Sequence, residues 1–231
     1  MTRKRRIILF IAFALTFGFI GFYFYPVREF ARSVPEDTKE IRKFRKRNEF
    51  GNLQTGDIIF QTSQSDQSKA IQSATHSRYS HMGIIYVTGS EYAVFKAVQP
   101  VKLTTLDQWI NRGKGRHYVV KRLAAATRVL TPETITRLKH TSEKYKGKDY
   151  DLYFEWSDDK IYCSELVWKI YKEVTGIEIG ALQKLKDFDL TSEPVKAKMK
   201  ERFGNHIPLK ENVISPSAMF ESNKLVTVLA R

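Results

Sequence analysis

The chain has 231 residues, of which 42% are hydrophobic, and this length is enough for one good-sized core. Lysine and arginine outnumber aspartate and glutamate by 39 to 25, and the formal net charge of +14 favours nucleic acid, an anionic membrane surface or an acidic substrate as a partner. The single cysteine excludes an internal disulfide and a thiolate metal cage. No histidine pair has metal-binding spacing, so we expect no metal and no cofactor.

The beginning of the chain is predicted to cross a membrane. "TRKRR" precedes 19 uncharged residues, Ile7 to Tyr25, which are long enough for a transmembrane helix. A cleaved signal peptide is the alternative, but the run is long for one and no small-x-small cleavage site follows. The basic end stays cytoplasmic by the positive-inside rule. We therefore expect residues 1–27 to form a basic tip and a single span of the inner membrane, with everything beyond in the periplasm.

Residues 28–50 are predicted to form a basic stalk, because their apolar residues are too sparse for a core. They are either a solvated helix or a segment that lies along anionic lipid headgroups, where each cation contributes about 1 kcal/mol. The chain shows no nucleic-acid-binding motif, so a nucleic-acid partner is excluded. Six cations fall within nine positions: Lys39, Arg42, Lys43, Arg45, Lys46 and Arg47.

Residues 51–231 have the pattern of one globular α+β domain. Short β-branched and aromatic runs bounded by turn residues predict strands, and amphipathic runs with Ser, Thr or Pro near the start predict helices. Residues 185–208 are predicted to be a surface excursion. The predicted strands are 56–61, 82–87, 91–98, 118–123 and 224–229, and the predicted helices are 65–75, 132–146 and 162–176.

Cys163 lies at the start of a predicted helix, on the same stripe as its apolar residues. "SDD" at 157–159 offers candidates for the helix cap. The positive end of the helix dipole would lower the thiol pKa from about 8.5 and favour the nucleophilic thiolate. The alternative is a buried thiol that acts only as a small hydrophobic side chain.

His81 opens the predicted strand "MGIIYV", where a side chain can project from the edge of a sheet. The other histidines lie in polar or loop contexts, which are typical of surface residues. The alternative for any of the five histidines is an ordinary surface residue.

The segments "SKAIQSATHSRYSHMGIIY" and "YDLYFEWSDDKIYCSELVWKIY", with "LQTGDIIFQ", "AVQPVKLTTLDQWI" and "ISPSAMFES", resemble the YiiX and YebB-like bacterial cysteine hydrolases in order and spacing. The resemblance covers residues 51–231. It implies a circularly permuted papain-like domain of the NlpC type, with a small antiparallel sheet packed on helices and the histidine strand before the cysteine helix.

The resemblance also implies roles for individual residues. Cys163 would be the nucleophile and His81 the general base and then acid, acting through an acyl-enzyme. The first-turn amides would bind the oxyanion, and Tyr162 and Ser164 are further candidates for oxyanion or substrate contacts. Tyr162 is otherwise an ordinary core aromatic.

Lys96 departs from the family pattern, which has a carboxylate at this place to hold the second imidazole N–H. A lysine has no acceptor, and its charge disfavours an imidazolium nearby. Gln99, Glu91 or a backbone carbonyl could replace the carboxylate. The third member of the triad is therefore open.

These observations predict a membrane-anchored cysteine hydrolase that cleaves an amide or ester in a cell-wall peptide or a lipid-linked substrate. The alternative is a catalytically impaired envelope-binding module of the same fold, which Lys96 favours.

Overall fold

The fold is built on an antiparallel sheet, seen in a computed structural model whose described residues are 49–231. The predicted transmembrane helix and all but the last two residues of the predicted stalk lie outside this range. Within residues 49–231 no helix is long and apolar enough to cross a membrane.

Six strands form the main sheet, in the order β10-β5-β1-β2-β3-β4, and every neighbouring pair is antiparallel. Two short pairs, β6 with β7 and β8 with β9, lie outside it. The five predicted strands are confirmed within a few residues at each end. The strands are β1 Ile58–Ser63, β2 His81–Thr88, β3 Glu91–Lys96, β4 Lys102–Thr105, β5 Gly113–Leu123, β6 Asp149–Tyr150, β7 Lys160–Ile161, β8 Gln183–Lys184, β9 Asn212–Val213 and β10 Leu225–Ala230.

The three predicted helices are confirmed as α1, α4 and α5. Ser65 caps α1 and Thr131 caps α4, each through its side-chain oxygen, and α5 ends at Gly176 with a φ of 74°. The short helix α2 was not predicted. The helices are α1 Asp66–Thr75, α2 Leu106–Arg112, α3 Ala126–Val129, α4 Pro132–Glu143, α5 Cys163–Thr175, α6 Glu193–Phe203 and α7 Pro216–Phe220.

The two faces of the sheet pack against different helices because successive strand residues point to opposite sides. Met82 and Ile84 of β2 belong to the core that includes the apolar stripe of α5. His81 points the other way, and its ring lies against Trp109 of α2. The start of β2 therefore borders both layers.

Gly83 is required where β2 pairs with β3. A Cβ at this position would lie 2.6 Å from Val94 Cγ1 and 2.7 Å from the carbonyl oxygen of Phe95, both closer than normal contacts. The glycine in "HMGI" thus permits β3, with Lys96 at its end, to pack closely beside the histidine strand.

Residues 185–208, predicted to be a surface excursion, are mostly exposed or half-buried, but they include helix α6. Helix α6 packs against α1, and Val195 and Met199, spaced by one turn, are buried. The helix was not predicted because charged residues outnumber the few apolar residues that form its buried stripe. The segment forms one wall of an apolar groove that Cys163 also lines.

Candidate active site

Cys163 is the first residue of α5 and is buried, with 2% of its surface exposed. Residues 157–159 do not cap this helix, contrary to the sequence prediction. Instead, the Glu165 carboxylate accepts the N–H of Tyr162 at 3.4 Å, and Asp158 forms an ion pair with Lys169 at 2.8 Å. The N–H that Glu165 accepts is that of the residue before the helix, whereas a preceding cap would accept an N–H of the first turn.

The Cys163 thiol is neutral in this arrangement. Burial raises its pKa to about 11, against hydrogen bonding from the Met82 and Ser164 amides and from the hydroxyls of Ser164 and Tyr150. The sequence prediction of a lowered pKa does not hold here, because desolvation of the charged form outweighs the helix terminus.

The thiol lies at an open edge of the sheet. The N–H of Ile85 donates to the backbone carbonyl of Asp57, the residue before β1, at 2.7 Å. By alternation the Met82 N–H points away from β1, toward the side of β3. Strand β3 ends at Lys96, before it can pair with Met82. The Met82 N–H therefore reaches Cys163, and the residue before Met82 is His81.

His81 stacks on Trp109, with the ring centroids 4.8 Å apart. Its pKa is lowered to about 3 by burial and then by the charges of Lys96 and Arg112. The hydrogen bonds of residues 49–231 include none between the imidazole and the Cys163 thiol. The two residues are neighbours through the Met82 amide, while the imidazole is turned toward Trp109.

Lys96 is buried beside His81, with Nζ 5.3 Å from the centroid of the Trp109 ring. Burial lowers its pKa to about 8, and the charges of Arg112 and Lys102 act in the same direction. A cation therefore occupies the neighbourhood in which the resemblance implies a carboxylate.

Two of the suggested replacements for the carboxylate are engaged or remote. The Gln99 side chain is hydrogen-bonded to β6, because its Oε1 accepts the N–H of Tyr150 at 2.8 Å. Glu91 pairs with Thr88 at the far end of the β2–β3 hairpin, seven residues along the strand from His81. Glu91 is therefore remote from the imidazole, and the Gln99 acceptor is already engaged.

Gln61 is a residue that the sequence analysis missed. It is paired directly opposite His81 across β1 and β2, so the two side chains share one face of the sheet. Gln61 is buried, and its Oε1 has no hydrogen-bond partner among the described residues. The signal available in the sequence was a polar residue at the buried end of "GDIIFQ".

Tyr162 and Ser164 hold a neighbouring segment in place. The Tyr162 hydroxyl accepts the N–H of Ile214 at 3.1 Å, and the Ser164 hydroxyl donates to the Ile214 carbonyl at 2.7 Å. These two bonds fix residues 213–216 beside the start of α5.

A chain of polar side chains leads away from the thiol and was also missed. The Tyr150 hydroxyl interacts with Cys163 and accepts from Gln67 Nε2 at 3.0 Å. Gln67 Oε1 in turn accepts from Arg202 of α6 at 3.1 Å. The chain connects three separate elements, so only the fold reveals it.

An apolar groove adjoins Cys163. It is small, with a volume of about 70 Å³, and lies between α1, α6 and the segments 185–190 and 213–216. Most of the side chains that line the groove are apolar, and Cys163 and Tyr162 are among the lining residues.

No group of three or more His, Cys, Asp or Glu side chains within residues 49–231 is arranged to hold a metal ion. The described side chains therefore do not fit a resident metal of that kind.

Residues 52–229 match the family described as permuted papain-like amidase enzymes, YaeF/YiiX, C92 family. The chain is 52% identical over 175 residues to the protein YiiX of Escherichia coli (strain K12), covering 76% of this chain and 85% of YiiX. A crystal structure titled as the metalloprotein YiiX from Escherichia coli O157:H7 superposes with a TM-score of 0.73 at 51% identity. That comparison covers 77% of this chain and 97% of the other.

Proposed function

Because the chain belongs to the YaeF/YiiX, C92 family of permuted papain-like amidases and is therefore a cysteine amidase, we propose that Cys163 and His81 perform the hydrolysis. The observation that carries this assignment is the position of the thiol. Cys163 is the first residue of a long amphipathic helix and lies beside the groove. Its thiol accepts a hydrogen bond from the backbone N–H of Met82, the residue after His81. The bond cleaved is an amide or an ester.

The pair acts from a neutral resting state. With a thiol pKa of about 11 and an imidazole pKa of about 3, proton transfer accompanies attack on the carbonyl and does not precede it. His81 takes the proton from Cys163 and returns it to the leaving amine or alcohol. Water then hydrolyses the thioester.

His81 must turn toward the thiol for this step. Rotation about its Cα–Cβ bond moves the imidazole from Trp109 toward the open edge at Met82. The unpartnered Oε1 of Gln61, directly opposite, lies beside Gly113 of β5, and a turn of this side chain would bring it to the second imidazole N–H as an acceptor. We assign Gln61 the positioning role that Lys96 cannot fill.

The amides at the start of α5 stabilise the oxyanion. Cys163 and Ser164 lie in the first turn, where backbone N–H groups lack helical acceptors and the helix dipole is positive. The hydroxyls of Tyr162 and Ser164 are hydrogen-bonded to the backbone of Ile214. Their contribution is therefore to position the segment beside the oxyanion and not to bind the oxyanion itself.

The reaction takes place outside the cytoplasmic membrane. This part of the proposal rests on the uncharged run from Ile7 to Tyr25 and the basic residues before it. The basic segment at residues 28–50 would keep the domain near anionic lipids. Cell-wall peptides and lipid-linked amides or esters are the substrate classes within reach.

The test is hydrolysis of p-nitrophenyl acetate by the full chain, with the acyl-enzyme detected by intact-protein mass spectrometry. Cys163→Ala and His81→Ala should each remove nearly all turnover, because groups that act as one unit fail together. His140→Ala, a change of an exposed histidine on α4, is the matched control and should keep the parent rate. Parent-like turnover by Cys163→Ala would overturn the proposal.

A further inference from the structure

Two lysines lie directly opposite each other where β3 pairs with β4. Lys96 and Lys102 are register partners in these antiparallel strands, so their side chains share one face of the sheet. Lys96 is buried, with 1% of its surface exposed, whereas Lys102 is exposed. Like charges in directly opposite positions are destabilising, and here the strand pairing holds two ammonium groups together.

Arg112 brings a third cation to the same place. It is the last residue of α2, one turn after Trp109, and both Lys96 Nζ and the His81 imidazole lie against the Trp109 ring. Burial lowers the pKa of Lys96 most, and the charges of Arg112 and Lys102 lower it further. The Arg112 charge also lowers the pKa of His81. The three cations therefore lie together at the end of α2, beside the proposed catalytic base.

No ion pair within residues 49–231 balances the charge of this cluster. The pairs formed there include none of the three cations, although lysines of α1 and α6 are paired with carboxylates. The Lys96 ammonium lies over the Trp109 ring, and none of the hydrogen bonds of this part of the chain involves it. A buried charge without an acceptor is costly. The arrangement therefore suits a site that an anionic ligand completes.

Resting on the proposed function, we propose that Lys96, Lys102 and Arg112 bind a carboxylate or phosphate group on the leaving group of the substrate. His81 gives its proton to the leaving amine or alcohol, so that part of the substrate lies beside His81. The imidazole and Lys96 Nζ are 4.8 Å and 5.3 Å from the centroid of the same ring. An anionic group a few bonds beyond the cleaved bond therefore reaches the cluster.

An anion bound to the cluster would also make His81 a stronger base. The pKa of His81 is lowered to about 3 by burial and then by the charges of Lys96 and Arg112. A bound anion offsets these two charges, so the imidazolium is less disfavoured and the pKa of His81 rises. Gln61 of β1 and the Cys163 thiol, its other neighbours, are neutral. The base is therefore strongest when a substrate of the right charge is in place.

The experiment compares kcat/KM for three acetate esters with the full chain held in amphipol, each value divided by the rate of spontaneous hydrolysis. The esters p-acetoxybenzoate and p-acetoxyphenyl phosphate have anionic leaving groups, and p-acetoxybenzamide has a neutral one. The corrected kcat/KM should be about tenfold to a hundredfold higher for an anionic ester. The first ester represents an amino-acid leaving group and the second a phosphorylated alcohol. Equal corrected values for all three would overturn the inference.

Inorganic phosphate gives a separate measurement, with potassium chloride at the same ionic strength as the control. Phosphate should raise KM for p-acetoxybenzoate because it competes for the cluster. It should raise kcat for p-acetoxybenzamide because it supplies the charge that this ester lacks. Both effects should be smaller in Arg112→Gln. Kinetics of both esters that are the same in phosphate and in chloride would overturn the anion site.

Lys96→Met should lower the ratio of anionic to neutral kcat/KM about tenfold or more. Lys102→Gln and Arg112→Gln, at exposed positions, should each lower it about threefold. Lys139→Gln removes the same charge from the exposed side of α4 and should keep the parent ratio. Parent ratios in all the cluster variants, with thermal unfolding like the parent's, would overturn the anion site alone. Parent-like hydrolysis of all three esters by Cys163→Ala would instead overturn the proposed function.

Discussion

Lys96 and His81 lie against the same indole ring, that of Trp109. Lys96 Nζ is 5.3 Å from the ring centroid, and the imidazole centroid is 4.8 Å away. Burial is the main cause of the low His81 pKa, and the Lys96 charge is the next. A cation in this place keeps the imidazole neutral and makes it a weaker base, whereas a carboxylate would stabilise the imidazolium.

Replacing Lys96 should raise the pKa of His81. In Lys96→Met one positive charge near the imidazole is lost, so the imidazolium is less disfavoured and we expect a rise of about one unit from its value of about 3. NMR titration of the His81 ring protons measures it. Lys96→Glu should raise it further and speed Cys163 alkylation near neutral pH. Lys114→Met, a change of an exposed lysine, is the control; equal His81 titrations in all variants would contradict this account.

The reactivity of Cys163 should increase with pH well beyond neutrality. With a thiol pKa of about 11, raised by burial, only about one thiol in a thousand is ionised at pH 8. Alkylation by iodoacetamide should therefore rise about tenfold per pH unit up to about pH 10. A plateau between pH 6 and 8 would mean that the helix terminus, not desolvation, controls the thiol.

The sequence predicted the elements better than it predicted the site's chemistry. Local patterns located β2 and α5, because apolar spacing and caps are read from neighbouring residues. The thiol pKa, the Trp109 contact of His81 and the apolar wall from α6 depend on residues far apart in the chain. Gln61 was missed for the same reason, since only strand pairing brings it opposite His81.

Gln61 should act through His81 and leave substrate binding largely alone. Gln61→Leu removes the acceptor for the imidazole N–H, and we expect kcat to fall about tenfold to a hundredfold with little change in KM. Gln61→Glu keeps an acceptor and should recover part of the rate, with a pH profile altered by its charge. Gln54→Leu, at an exposed position, is the control. A Gln61→Leu variant with the parent kcat and pH profile would exclude this role.

The domain beyond Pro26 should be accessible from outside the cytoplasm. Protease added to spheroplasts should digest it while cytoplasmic proteins stay intact, as the basic residues before the uncharged run predict. Detergent-lysed spheroplasts provide the control for protease sensitivity. Full protection in intact spheroplasts, with digestion after lysis, would reverse the predicted orientation.

The ion pair of Asp57 and Arg122 should support the folded state strongly, because Asp57 is fully buried. Its carboxylate accepts from Arg122 Nε at 2.7 Å, from Arg122 Nη2 at 2.8 Å and from the Gln54 N–H at 2.8 Å. Removing one partner leaves a desolvated charge, so Asp57→Ala and Arg122→Ala should each lower the free energy of unfolding by about 3–5 kcal/mol in urea titrations.

The double variant should lose less than the sum, since neither charge is then left alone. Asp66→Ala, which breaks an exposed pair with Lys69, is the control and should leave the free energy of unfolding close to the parent's. Additive losses in the Asp57 and Arg122 cycle would show that the two side chains stabilise the fold independently.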